Sequence, residues 1–219
     1  CGIRRRLLAP LSHAIQEAAW KPGWAPEWKN TVFGVGNIRA ELMFVGEAPG
    51  AEEARQGKPF VGRSGQLLDK MLETAGIDRA RTLIANVFRY QPPGNKVDAF
   101  FASRKAAKEQ KFSLSEDLGK FGSLFCRKKF AAEIDHLREV LTRQKPAIVV
   151  ALGRTPLWAL TGENGLLNRV GALLPCRLDT SLTVLPTYHP SFILRGNWKL
   201  QDTWLSHFET AAQRAKKQA

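Results

Sequence analysis

The sequence predicts an α/β fold: a three-layer α/β/α arrangement around a central, mainly parallel, four-stranded sheet. Three observations carry that expectation. Short apolar runs suited to strands buried on both faces recur along the chain. Stretches with helical spacing separate them. Each run stops at a turn containing Gly or Pro, the place where open α/β sheets hold ligands.

Residues 7–20 space Leu8, Leu11, Ala14, Ile15, Ala18 and Ala19 at helical intervals, and Lys21-Pro22-Gly23 ends the pattern. Trp20, Trp24 and Trp28 follow, at a spacing that suits a local packing cluster better than a base-stacking platform. Residues 31–34 and 41–45 read as strands, the second stopping at Gly46-Glu47-Ala48-Pro49-Gly50. Residues 65–75 read as a helix, with Leu67, Leu68, Met71 and Leu72 on one face and Gly76 as the stop. A strand over 82–87 leads to a second turn at 91–95. From Val97 to about Gly122 the sequence is basic and dotted with Phe, without a core pattern. It reads as a partly helical insertion in a single domain spanning 1–219. Residues 127–143 form an amphipathic helix, 146–153 a buried strand, and 156–160 the start of the next helix. The last strand, 182–186, runs into Thr187-Tyr188-His189-Pro190-Ser191, and 198–216 is a terminal helix.

Composition narrows the function. Thirty-three Lys and Arg against 20 Asp and Glu give a net charge of +13, which points to a polyanion and first to nucleic acid. No apolar run approaches the roughly 18 residues of a membrane span, so no membrane partner is expected. The basic start, Arg4-Arg5-Arg6, lacks a secretory apolar region behind it. Cysteines at positions 1, 126 and 176 cannot all pair, and there is no CxxC. A monomer in the cytoplasm, associated with the nucleoid of a prokaryote, is the expectation.

Three strand ends carry polar residues able to meet at one sheet edge: Glu47 with Glu53, Asn86, and His189 with Ser191. A carboxylate can orient water or stabilise a cationic sugar, and an amide can read a base edge with both donor and acceptor. An imidazole can donate to an oxygen that gains charge as a base departs. Neither a Walker lysine motif nor GxGxxG is present, which argues against a triphosphate or dinucleotide site. A solvated Glu in an ordinary turn, a core Phe60, a turn-capping Asn86 and a satisfied core His189 are the plainer readings of each residue alone.

The joint pattern resembles a known family. Gly46–Gly50, Glu52-Glu53, Gly57-Lys58-Pro59-Phe60-Val61-Gly62, Gly65-Gln66-Leu67-Leu68, Asn86-Val87, Pro92-Pro93-Gly94-Asn95, His189-Pro190-Ser191 and Leu194-Arg195 occur in the order seen in family 4 uracil-DNA glycosylases. The resemblance covers roughly 31–95 and 126–213. It implies a DNA repair hydrolase that flips uracil out of the helix and cuts its N-glycosidic bond, leaving an abasic site. Glu47 and His189 are then catalytic, with Glu53 as a second carboxylate that shapes the pocket. Phe60 stacks on uracil, Asn86 bonds its polar edge, and Ala48 stands where better-known uracil glycosylases place an aspartate. Gly62, Arg63, Ser64, Ser191 and Arg195 contact DNA, the loop after Ser191 filling the vacated stack. A shifted specificity, toward hypoxanthine for example, and a non-catalytic damage-binding protein are the alternatives.

The chain departs from that family in one respect. Its members usually hold a [4Fe–4S] cluster on four cysteines, and Ala19, Pro22 and Tyr90 stand at three of those positions. Cys126 alone matches a ligand position, so no cluster and no other cofactor or metal is expected. Aromatic packing by Trp20, Trp24, Trp28 and Tyr90 is expected in its place, and the basic insertion is expected to add phosphate contacts through Arg104, Lys105, Lys108 and Lys111.

Overall fold

The computed structural model describes residues 31–218. The expected helix over 7–20, the three tryptophans behind it, Ala19, Pro22 and Cys1 lie outside the described residues. Within them the strands are β1 (Val35–Gly36), β2 (Leu42–Gly46), β3 (Leu83–Asn86), β4 (Phe101–Ala102), β5 (Leu114–Phe121), β6 (Leu124–Arg127), β7 (Ile148–Leu152), β8 (Leu174–Pro175) and β9 (Thr183–Thr187). The helices are α1 (Ala51–Gln56), α2 (Arg63–Thr74), α3 (Arg104–Glu109), α4 (Ala131–Gln144), α5 (Arg154–Thr161), α6 (Pro190–Leu194) and α7 (Gln201–Gln218).

The central sheet has the order β1-β3-β2-β7-β9-β8. Its four middle strands are parallel, as expected, with Val45 opposite Ala85 and Ala151, and Ala151 opposite Pro186. Two short antiparallel edge strands, β1 and β8, extend it. Successive residues of each strand point to opposite faces, and both faces are buried, which is why the strands read as unbroken apolar runs. Met43, Val45, Leu83, Val149 and Val184 pack on one side against Ile134, Leu137 and Leu141 of α4 and Trp158 of α5. Phe44, Ile84, Val150 and Leu185 pack on the other against Leu68 and Met71 of α2, and Trp204 and Phe208 of α7.

Two expectations need correction. Residues 31–34 are not a strand: Val32 N–H donates to Arg89 O at 2.8 Å, outside the ladder, and pairing begins only where Val35 meets Ile84. The insertion is not merely partly helical. It builds its own antiparallel sheet, β4-β6-β5, beside the short helix α3. It also has a core. Phe88 stacks on Phe100 at 3.9 Å, Phe101 on Phe121 at 4.2 Å, and Trp158 meets Phe101 edge-on at 5.2 Å. The alternation that would have revealed this is broken, because β4 has two residues and the β5–β6 register shifts between Ser115 and Lys120.

A buried ion pair fastens the chain after β3 to α4. The Arg89 guanidinium donates to both carboxylate oxygens of Glu133 at 2.9 Å, and Arg89 N–H adds a third bond at 3.1 Å. The two side chains are 10% and 0% exposed, so truncating one partner strands a charge in the core. Glu133→Ala is expected to cost about 3–5 kcal/mol of stability, read as a lower guanidinium midpoint.

Candidate active site

The carboxyl edge of the parallel strands forms an open cavity of about 480 Å³. Gly46 ends β2 just before the first lining residue, Glu47. A Cβ there would stand 2.4 Å from Asn86 Oδ1 and 2.5 Å from the Phe60 ring, so only glycine lets amide and ring close on one another. Glu47 follows, half-buried, and its Oε2 accepts a 2.5 Å hydrogen bond from the Thr155 hydroxyl. Burial raises its pKa above the usual carboxylate range; Thr155, Arg154 and Arg195 pull it back, while Asp98 adds to the rise.

Glu53 sits in α1 and points its carboxylate inward to the neighbouring loop. Oε1 accepts from Val61 N–H at 3.0 Å and Gly62 N–H at 2.9 Å, and Oε2 from Gly50 N–H at 3.2 Å. These three bonds tie both glycine-bounded loops to one helix. They also hold Phe60, whose φ of 54° is a left-handed conformation rare for an aromatic residue. Gly65 makes room, since a Cβ would stand 2.0 Å from Phe60 O, and Arg79 donates to the Pro59 and Phe60 carbonyls at 3.2 Å. Phe60 is thereby presented as a wall of the cavity, its ring centroid 5.8 Å from that of His189. Gly62, Arg63 and Ser64 line the rim.

Asn86 ends β3 and is buried. Its Oδ1 has no hydrogen-bond partner among the described residues, and the residue lines the cavity, so the amide is free to bond a group placed there. His189 lies past β9 and caps α6. Its Nδ1 accepts from Ser191 N–H at 3.2 Å and lies 2.8 Å from Ser191 Oγ. An acceptor at Nδ1 puts the neutral ring's proton on Nε2. Desolvation, reinforced by Arg195, pushes the His189 pKa down to about 4. The imidazole is therefore a neutral donor at physiological pH. Ser191 and exposed Arg195 line the cavity beside it, and Arg195 reaches Ser191 Oγ at 3.5 Å.

All eleven residues singled out from the sequence, Ala48 among them, line this one cavity. Thr155 was missed. It begins the helix after β7, and the strand-end rule applied to the other three parallel strands would have found it. The insertion's basic residues do not line the cavity. Arg104 is held by Glu116 at 2.5 Å and lies over the Phe125 ring, and Lys105 pairs with Glu109 at 4.0 Å.

The donor set does not fit a four-iron cluster, which needs about four ligands. Among the described residues no group of three or more His, Cys, Asp or Glu could hold a metal ion. Cys126 is buried in β6, and burial, with Asp117 and Glu133 nearby, pushes its thiol up to about 12. Tyr90, at another ligand position, is buried as well.

Because the Thr155 hydroxyl donates to the charged form of Glu47, its removal favours the protonated form. Thr155→Val is expected to raise the Glu47 pKa further and Thr155→Ser to restore it, as followed by carboxyl-carbon NMR titration. A fall in the valine variant would contradict the assignment.

Comparison with known proteins agrees with this geometry. Residues 33–213 match the model of the uracil DNA glycosylase superfamily. A type-4 uracil-DNA glycosylase of Thermotoga maritima is 33% identical over 168 residues, covering 76% of this chain and 73% of the relative. The type-4 enzyme of Archaeoglobus fulgidus is 51% identical over 67 residues, 31% of this chain and 34% of the relative. That of Saccharolobus solfataricus is 48% identical over 69 residues, 31% and 32% of the two chains. With residues 33–213 matched by the family model and 76% of its length aligned to a relative at 33% identity, the chain belongs to the uracil DNA glycosylase superfamily.

Proposed function

We propose that this chain is a monofunctional uracil-DNA glycosylase of DNA base excision repair, and that the cavity residues divide the reaction as follows. The observation that carries the reading is the convergence of Glu47, Phe60, Asn86 and His189 on one cavity. Uracil must leave the stack, because its glycosidic bond is out of reach within a duplex. Phe60 stacks on the flipped ring, Asn86 hydrogen-bonds its polar edge, and the small Ala48 leaves space beside it. As the bond to C1′ breaks, its electron pair goes to the base and positive charge gathers on the sugar. The Glu47 carboxylate faces that charge and orients the attacking water. His189 donates from Nε2 to the uracil oxygen that gains negative charge, without becoming a cation first. Water adds to C1′, and the proton it loses passes through solvent to the uracil anion, giving free uracil and an abasic site.

Glu53 acts at one remove, since its carboxylate accepts from the backbone amides of Gly50, Val61 and Gly62, which place Phe60 and the rim. Gly62, Arg63, Ser64, Ser191 and Arg195 hold the DNA backbone, and the +13 charge supports that partner. Among the described residues no helix is long and apolar enough to cross a membrane. The same reading makes the protein a monomer acting on DNA in the cytoplasm, at the nucleoid, since one chain carries the whole cavity.

Excision from uracil-containing oligonucleotides, followed by alkaline scission, tests the assignment. Glu47→Ala and His189→Ala are each expected to lower the rate about 10²–10⁴-fold, the size of an acid–base or charge-stabilising contribution. Glu53→Ala should disturb binding and rate together. No scission by the unaltered protein would leave a damage-binding protein; scission at inosine but not uracil would show altered specificity.

We further propose that no iron–sulfur cluster is present, which Ala19, Pro22 and Tyr90 at three of the four ligand positions support. Aerobically purified protein is expected to lack the broad visible absorbance of a cluster and to contain no stoichiometric iron.

A further inference from the structure

A base leaving a duplex opens a gap, and proteins that unstack DNA commonly fill it with an apolar side chain. The residues after Ser191 were expected to do this, but they are engaged with the body of the protein, although Phe192 also lines a groove beside the cavity. Phe192 stacks on Tyr188 with ring centroids 5.6 Å apart, and its carbonyl accepts from Asn197 at 2.8 Å. Ile193 is fully buried in the core. Leu194 is half-buried.

A different residue has the required position. Beside the base cavity runs a groove of about 780 Å³ that shares Glu47, His189, Ser191 and Arg195 with it. Leu167, in the turn Leu166–Asn168, lines that groove and is 68% exposed. Single exposed leucines are ordinary on protein surfaces. This one differs by its place: Ile38, Leu173 and Trp198, the other large exposed apolar side chains among the described residues, do not line the groove.

The turn is also braced. Asn164 receives a 2.8 Å bond from Gly122 N–H and donates to Lys120 O at 3.0 Å, tying it to the tip of the β5–β6 hairpin. Arg169 pairs with Glu163 at 2.9 Å across the same loop. Arg177 holds the hairpin's stem, donating to Leu118 O at 2.7 Å and Ala159 O at 3.0 Å. A side chain that must enter a base stack needs such a rigid support, because a yielding loop would fold back under the load.

We infer that Leu167 is the wedge that enters duplex DNA where the flipped nucleotide stood, and that the hairpin of the insertion is its brace. The inference rests on the glycosylase reading above and assigns the insertion a mechanical role in place of phosphate binding.

The test compares excision of uracil from a duplex with excision from the same single strand, where there is no stack to fill. Leu167→Ala is expected to lower the duplex-to-single-strand rate ratio roughly tenfold or more, with Leu167→Met retaining most of it. Asn164→Ala should lower the ratio in the same direction, and Leu173→Ala should leave it alone. A ratio unchanged in Leu167→Ala, or natural activity confined to single strands, overturns the wedge. An unchanged ratio in Asn164→Ala overturns the brace. If the unaltered protein excises uracil from neither substrate, the glycosylase reading falls first.

Discussion

The cavity depends on the empty space over Gly46. A single methyl group there would collide with both Asn86 and Phe60, the two groups that would hold a base by its edge and its face. Ring and amide can approach only because this strand end carries no side chain. Their approach is then enforced from outside: Glu53, Gly65 and Arg79 hold Phe60 in a backbone conformation that costs of order 1–3 kcal/mol. Strain of this kind persists only where the surroundings over-determine it.

The same burial acts on two ionisable groups in opposite directions. It lifts the pKa of Glu47 and lowers that of His189, so both charged forms are disfavoured in the enclosed edge. Thr155 and the arginines at positions 154 and 195 oppose that rise at Glu47, whereas Arg195 reinforces the neutrality of the imidazole. A carboxylate supported by Thr155 and two arginines, beside a neutral donor, is the combination suited to a sugar becoming positive and a base becoming negative. A charged imidazole would attract the leaving group but also bind water and phosphate in its place.

The parallel sheet was legible in the sequence because strands buried on both faces cannot hide: Met43-Phe44-Val45 and Ile148-Val149-Val150 have no polar positions to break them. The site was legible for a related reason. Its residues follow strand ends, and the topology of the fold brings those ends together whatever their separation in sequence. What escaped notice depends on contacts with no local signature. Thr155 is an unremarkable residue in an apolar helix start. The phenylalanines of the insertion seemed scattered because their partners, Phe88 and Trp158, come from distant segments. The short β1 likewise starts where Val32 has already spent its amide on Arg89.

The Arg89–Glu133 pair joins residues 44 apart in the chain, and the whole insertion lies between them. Both ends of that span are therefore pinned to the body of the protein, and Phe100, Phe101 and Phe121 anchor its middle, leaving the hairpin's exposed tip outside the core. Closing a longer span costs only about 0.6 kcal/mol for each doubling of its length. A clamp of this kind turns the surface between the sheet and α4 into a tolerant insertion point. A change in the length of the hairpin's tip leaves those anchor points, and the strand end at Asn86 near them, where they are.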